Sequence, residues 1–472
     1  MESPSIKENN DIVLSPEQEK ALSSFKNGNN VFLTGPGGTG KTALIKKMVD
    51  YCNIIHQEKN VQVCALTGCA AVLLNCKAKT IHSWAGIGLA NGPSDLIIKR
   101  IVGNKYKSSN WKKIDVLIID EVSMMSQKIF ELLDGISRSV RKMKSHLPFG
   151  GIQVVFSGDF YQLPPVMREE DIEDDPTAAA FCFESPKWST TFHENIELKK
   201  IFRQTDDAYT KILNQIRKGK LYKSALTTLT PHIGKSLPDT FVPTILLPRR
   251  RETEMINASE FKKLEGEEKR YKLTSAETLP EKTFKLNTNT NITPEQQDME
   301  LKYLMNNVMA DREIILKKGT QVMCIANINM EGNNPIVNGS QGIVDSFMGE
   351  LPVIKFNNGL KQTIGYHVWN SENIPTIGVK QIPLIYAWAI TIHKSQGVSL
   401  DMAQIDAGSN IFECGQTYVA LSRIKSLDGL YLTAFNPQKI KVNKKVQEFY
   451  DSLEKANEKP NEKPNEKPNE NT

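Results

Sequence analysis

The stretch Gly35-Pro36-Gly37-Gly38-Thr39-Gly40-Lys41-Thr42 constrains this chain more than any other. It satisfies the pattern G-x-x-x-x-G-K-[ST] and lies between an apolar strand, Val31–Thr34, and a helix-forming run, Ala43–Val49. Glycines let the backbone wrap so that successive N–H groups converge on phosphate oxygens, and the following helix N-terminus adds partial positive charge. Lys41 is placed to reach the β- and γ-phosphates of a nucleoside triphosphate, and Thr42 to ligate Mg2+. Apolar strands alternate with helical runs over the first 190 residues, the pattern of an α/β, doubly wound parallel sheet.

At 472 residues there is room for two to four domains. A net charge of only +5 permits nucleic-acid binding without arguing for it, so any basic groove must be local. No run approaches the roughly eighteen uninterrupted apolar residues of a membrane span, and no membrane partner is expected. Cys52, Cys64, Cys69, Cys76, Cys182, Cys324 and Cys414 form no C-x-x-C pair, and no histidine or further cysteine stands near them at zinc spacing. They read as reduced buried thiols in an intracellular compartment, with nucleus, cytoplasm and a viral replication site left open. The N-terminus lacks a secretory or mitochondrial presequence pattern. The Asn-Glu-Lys-Pro repeat from Asn457 to Pro468 has no apolar residue to bury and is expected to be a disordered tail.

A second buried strand, Val116–Ile119, runs into Asp120-Glu121. In parallel sheets ligands collect where strands end, so Asp120 is placed to hold Mg2+ and Glu121 to polarise the attacking water. A third, Val154–Ser157, runs into Gly158-Asp159-Phe160-Tyr161-Gln162 before Pro164-Pro165. The Gln162 amide can donate to a γ-phosphate while accepting from a water, and the prolines limit the loop's wandering. Between the first and second of these strands stand Thr67-Gly68 and His82-Ser83-Trp84. Hydroxyls and helix N-termini contact phosphate backbones and aromatic faces stack on unpaired bases, so together they read as a single-strand path. His82 alone would read as a structural histidine.

The succession GPGGTGKT, ALTGCAA, KTIHSWAGIG, DVLIIDEVSMM, FGGIQVVFSGDFYQLPPV, ELKKIFRQ, LLPRRRETEMIN, IVNGSQGIVDSF, AWAITIHKSQGVSLD and YVALSRIKSLDGL resembles the Pif-type DNA helicases, of the RecD-like 5′-to-3′ branch of superfamily 1. The similarity runs in order from about Ser15 to Phe435. It implies that Gln18 reads adenine and that Arg203 and Arg423 act as arginine fingers, work suited to a planar, always-charged guanidinium. It also implies that His393 and Lys394 face DNA while Gln396 and Gly397 lie nearer ATP. The resemblance further implies a DNA-backbone contact near Arg250, with Asn257 packed beneath. The run Arg249-Arg250-Arg251 departs from the more common threonine-containing form.

The implied architecture is two RecA-like cores. The first is expected over residues 13–190, with a small insertion near 80–104. The second is split between 191–260 and 380–454, around a β-barrel-like insertion at 261–379. Flexible ends are expected at 1–12 and 455–472. Asn338-Gly339 and Asn358-Gly359 signal hairpins within the insertion, and Leu286–Thr293 reads as a loop. The implied activity is ATP-dependent, 5′-to-3′ unwinding in replication, repair or recombination. Its partners would be single-stranded and forked duplex DNA and replication or repair proteins, with the chain acting as a monomer. A translocase that remodels nucleoprotein without unwinding, and a scaffold that has lost hydrolysis, are the alternatives.

Overall fold

The computed structural model describes residues 13–55, 58–74, 76, 78–88, 90, 92–165, 175–238, 242–277, 293–328, 336, 338–371, 374 and 376–458. Residues 1–12, the 286–292 part of the expected loop and the repeat beyond Glu458 lie outside that set. The first sheet has six parallel strands: β1 (Val31–Thr34), β2 (Val61–Ala65), β3 (Lys79–Thr80), β4 (Val116–Asp120), β5 (Gln153–Ser157) and β6 (Glu194–Glu197), in the order β3-β2-β4-β5-β1-β6. β1 and β4 are buried along their whole length, as continuous apolar runs covered by helices on both faces must be.

β6 lies beyond the boundary expected at residue 190, because it pairs in parallel with β1, Val31 opposite Glu194. The chain leaves it along the P-loop rather than away from it. Leu198 N–H donates to the Thr34 carbonyl at 2.8 Å and Phe202 N–H to the Gly38 carbonyl at 2.8 Å.

The insertion expected near 80–104 is helical, with helices Ile81–Trp84 and Ser94–Gly103, and runs on into the helix Lys105–Lys113 beyond the expected bound. Its apolar side chains Ile81, Trp84, Ile97, Ile101 and Trp111 sit in the same cluster as Phe130 and Phe156.

The second parallel sheet orders Ala389–Thr391, Thr244–Leu247, Ala403–Ala407 and Leu430–Phe435. The sequence reads Leu384–Ala389 as one strand, yet two are present. Leu384–Tyr386 pairs antiparallel with Gln321–Cys324, and Ala389–Thr391 pairs parallel with Thr244–Leu247. The apolar run is continuous because both of its neighbourhoods are buried. Between the halves of this core lie antiparallel sheets of five, three and two strands. Asn358-Gly359 makes the tight turn of one hairpin, while Asn338-Gly339 falls in a longer connection. The β-barrel-like insertion expected there comprises, among the described residues, these three sheets, with Tyr271, Ile314 and Leu316 of the two-stranded one in the same apolar core as Val322, Val344 and Ile354 of the five-stranded one.

The C-terminal helix Lys444–Glu458 was expected to belong to the second core and to give way to tail at residue 455. Instead it returns to the first core and stays helical to Glu458. Val446, Phe449, Tyr450 and Leu453 recur at helical spacing and make one apolar stripe. That stripe meets aromatic partners: the Phe449 ring lies 4.3 Å from Phe183 and 5.5 Å from Phe160.

Candidate functional site

The carboxyl ends of β1, β4 and β5 deliver the P-loop, Asp120-Glu121 and the Asp159–Gln162 loop to one cleft of about 950 Å3. Gly37, Gly38, Thr39, Gly40, Lys41, Thr42, Asp120, Glu121, Gln162, Arg203, Gly397 and Arg423 line it. Twelve residues that the sequence spreads from Gly37 to Arg423 thus line one cleft. Gly35 and Pro36 stand just behind: their carbonyls accept from Lys41 Nζ at 2.7 and 3.0 Å. Burial lowers the Lys41 pKa, while Asp159, Glu121 and Asp120 pull it back up.

The P-loop is packed from the other side by the segment that brings Arg203. Gly38 has φ +85, and a Cβ there would fall 2.5 Å from Arg203 Cβ, so only glycine admits both the turn and the close approach. Gln18 is buried at the start of the helix Pro16–Lys26. Its side-chain oxygen accepts from Ser15 N–H at 2.9 Å, and its Nε2 donates to the Thr39 carbonyl at 3.1 Å. In this arrangement the amide is a cap that braces the P-loop.

Arg423 follows the helix Gln416–Leu421 and is 2% exposed. Its Nε donates to the Val419 carbonyl and its Nη2 to the Ser422 hydroxyl, both at 2.8 Å. Arg203 Nη1 donates to the Ser422 carbonyl at 3.1 Å. A Cβ on Gly37 would lie 3.6 Å from an Arg423 nitrogen and 3.7 Å from an Arg203 nitrogen, so both guanidinium groups face the phosphate loop. Burial, and then the charge of Arg203, pushes the Arg423 pKa down to about 9, with Glu121 opposing. An excess of buried positive charge in one cleft is a site built for a polyanion.

Glu121 leaves β4 in the left-handed region, φ 57 and ψ 40, a conformation uncommon outside glycine and concentrated at functional sites. Its carboxylate accepts from Gln396 Nε2 at 3.0 Å. Burial, and then the neighbouring Asp120, raises its pKa to about 7. Asp120 is raised by burial, with the Ser157 hydroxyl working against the shift. The Thr42 hydroxyl and the Asp120 carboxylate are hard oxygens lining the same cleft, a donor set that fits a magnesium ion.

The residues read as a DNA path fall into two groups. Trp84, expected to offer a face to bases, is instead 5% exposed with its ring 4.7 Å from Trp111, because the insertion buries its apolar face in the first core. Thr67 accepts from Ala70 N–H at 3.2 Å as the cap of the helix Gly68–Leu74. His82 and Ser83 are half-buried, and burial lowers the His82 pKa. Arg250 is exposed and pairs with Glu254 at 2.7 Å. Two turns along the same helix, Asn257 and Ala389 exchange two hydrogen bonds of 2.9 Å. His393 is half-buried and Lys394 exposed at the end of strand Ala389–Thr391, whereas Gln396 and Gly397 reach the cleft.

Sequence reasoning missed Tyr418, whose hydroxyl accepts from Gly37 N–H at 2.9 Å. Its signal was its place on the helical run leading to Arg423. Lys46, Lys47 and Asp50 also line the cleft, one to two turns beyond Thr42.

The profile of the PIF1-like helicase family matches residues 13–226. The chain is 32% identical to the ATP-dependent DNA helicase Pif1 of Bdellovibrio bacteriovorus over 94% of its own length and 93% of that protein's. It is 30% identical to the ATP-dependent DNA helicase RRM3 of Saccharomyces cerevisiae, covering 94% of itself and 68% of RRM3. It spans 56 to 66% of several other eukaryotic relatives. Among solved structures it is similar to Bacteroides sp Pif1 in complex with ADP-AlF4, with a TM-score of 0.75, 28% identity, and 94% and 98% of the two chains covered. The ssDNA-bound form of Bacteroides Pif1 gives a TM-score of 0.64 at 29% identity, with 95% and 98% covered. The likeness extends from the phosphate loop through the second core, and the chain belongs to the PIF1-like helicase family.

Proposed function

We propose that this chain is an ATP-dependent DNA helicase that moves 5′ to 3′ on single-stranded DNA and opens forked duplexes. The observation that carries the reading is the convergence of Arg203 and Arg423 on Gly37 of the P-loop. Arg423 of the second core, and Arg203 tied to it through the Ser422 carbonyl, meet a phosphate loop of the first, so nucleotide binding is coupled to the relation between the cores. ATP is the substrate of this cleft. Lys41 and the loop N–H groups hold its phosphates, and Gln18 stands beside the loop at the base end. Thr42 and Asp120 would hold Mg2+, which when bound neutralises charge on the phosphates. Glu121 takes a proton from the attacking water, and Gln162 orients that water against the γ-phosphate. The two guanidinium groups stabilise charge spreading over the transferred phosphoryl group, a contribution of the order of 10^3–10^5 in rate for arginine fingers.

DNA would run past Thr67, Gly68, His82 and Ser83 on the first core and past Arg250, His393 and Lys394 on the second. None of this needs a base edge, so binding is sequence-tolerant and salt-sensitive. The 5′-to-3′ sense rests on the resemblance to the RecD-like branch. The deciding experiment gives the chain a labelled fork with a 5′ tail or a 3′ tail, with ATP and Mg2+. Strand release from the 5′-tailed fork alone supports the reading. Release only from 3′ tails overturns the polarity, and ATP turnover without release makes the chain a stripping translocase.

A further inference from the structure

Asp159 is fully buried, and its carboxylate is answered from three directions. Arg217, 2% exposed, grips it with Nη2 at 2.9 Å to one oxygen and Nε at 3.0 Å to the other. Tyr450 Oη donates to it at 3.3 Å, and Tyr161 N–H does so at 3.3 Å. Arg217 also reaches Glu197 at the end of β6, at 3.4 Å. Its guanidinium carbon lies 4.6 Å from the Tyr161 ring centre and 5.3 Å from that of Tyr450, and those two rings stack 4.6 Å apart at 18°. A buried carboxylate is tolerated only when it is paired and hydrogen-bonded, so this cluster stands or falls together.

Each partner comes from a different part of the molecule. Asp159 opens the loop that ends in Gln162, whose own N–H donates to the Asp159 carbonyl at 2.8 Å. Arg217 closes the helix Asp207–Arg217, whose Tyr209, Ile212, Leu213 and Ile216 are core residues of the second lobe. The same helix is tied to the helix that precedes Arg423 by Tyr209 Oη donating to the Leu421 carbonyl at 2.7 Å. Tyr450 rides on the C-terminal helix. Its hydroxyl shares a 2.6 Å hydrogen bond with Thr34, the residue before the P-loop, and accepts from Phe160 N–H at 3.1 Å. On its far side the loop lies against Gly415, φ +77, where a Cβ would stand 2.7 Å from the Tyr161 carbonyl and closer still to that of Gln162. The loop that presents Gln162 is therefore held between the second lobe, the P-loop strand and the start of the helix that leads to Arg423.

We propose that Arg217 and Tyr450 are positioning residues for ATP turnover, holding the Asp159–Gln162 loop so that contact of Gln162 with the terminal phosphate moves the two lobes together. The proposal rests on the reading of Gln162 given above and adds the residues through which it acts. Neither side chain lines the nucleotide cleft. Their loss should therefore spare ATP binding and strike the step that joins the lobes.

The test uses the full chain and three variants. Tyr450→Phe keeps the ring stacking and removes the hydroxyl that joins Thr34, Phe160 and Asp159. Arg217→Lys keeps the charge and loses the fork. Gln162→Ala is the reference. For each, ATP KM, kcat with and without single-stranded DNA, melting temperature, and single-strand affinity with and without a non-hydrolysable ATP analogue are measured. Tyr450→Phe and Arg217→Lys should leave KM within about twofold and lower DNA-stimulated kcat by about tenfold or more. They should also bring the nucleotide-induced change in DNA affinity close to one. If Gln162→Ala turns over ATP like the parent, the reading of Gln162 fails. If Gln162→Ala stalls while Tyr450→Phe lowers only the melting temperature, the cluster is structural and the proposal is overturned. A rise in KM matching the fall in kcat would overturn it equally.

Discussion

The hydroxyl of Tyr418 accepts a 2.9 Å hydrogen bond from the backbone N–H of Gly37, one of the groups that a phosphate oxygen would claim. Tyr418 is 3% exposed on the helix that leads to Arg423. A second-lobe side chain therefore occupies a P-loop donor, and nucleotide entry must displace or share that bond.

Removing the hydroxyl frees the donor. Tyr418→Phe is expected to tighten ATP binding by about twofold to tenfold, from the usual net value of one hydrogen bond. Fluorescent-nucleotide titration without DNA reads this directly, and weaker binding would contradict the arrangement.

Lys41→Ala should abolish ATP hydrolysis, since Lys41 is the P-loop cation that meets the phosphates. Affinity for single-stranded DNA in the absence of nucleotide should stay within a few-fold of the parent. Unchanged turnover would remove the P-loop from the mechanism.

Glu121 titrates near 7 rather than at its ordinary 4.5 because burial and Asp120 disfavour its charge. Two consequences have opposite signs. The base works only when ionised, so turnover should rise with pH between about 6 and 8. The folded, nucleotide-free protein instead loses stability as pH climbs from 4.5 to about 7, because the folded state there binds more protons than the unfolded one. Glu121→Gln removes that loss, so its stabilising effect should be small near pH 4.5, grow to ~3 kcal/mol by about pH 7 and then level off. The same variant should bind ATP and stall. Melting curves across pH check the first expectation, and single-turnover assays the second.

Arg423→Ala removes a buried guanidinium group that is repelled by that of half-buried Arg203. Its kcat should fall by about 10^3 or more. Loss of the repulsion should offset part of the lost packing, so melting should change less than it does for a buried arginine paired to an acid, such as Arg217→Ala. Parallel melting and steady-state assays on the two variants decide this.

Trp84→Ala should destabilise the first core by ~3–5 kcal/mol, as loss of a buried indole does, while Trp84→Phe preserves DNA affinity. A selective loss of DNA binding in Trp84→Phe would return the ring to the DNA path.

Where chemistry is written as a contiguous motif, the sequence was sufficient. The P-loop, Asp120-Glu121 and Gln162 each follow a buried strand, and a parallel sheet can only bring strand ends to one edge. Trp84 misled because an aromatic among hydroxyls looks the same whether its ring meets a base or Trp111; only the packing of the following helices separates the two. Tyr450 and Arg217 carry no local mark. Their meaning lies in a contact spanning almost three hundred residues, Tyr450 to Asp159, and no periodicity encodes such a meeting. The division of Leu384–Ala389 between two sheets was hidden for a related reason: burial writes the same apolar letters whichever sheet a strand joins.

The stripe Val446–Leu453 closes over the aromatic cluster of the first lobe, so a lobe whose sheet is complete by Glu197 is finished by residues about 250 positions further on. During synthesis at about 5–20 residues per second, the phosphate loop leaves the ribosome long before the element that completes its support. A nascent chain must hold an exposed aromatic patch around Phe160 and Phe183 for tens of seconds, a window in which a chaperone can bind and in which hydrolysis cannot yet begin. Truncation just before Lys444 would leave that interval permanent.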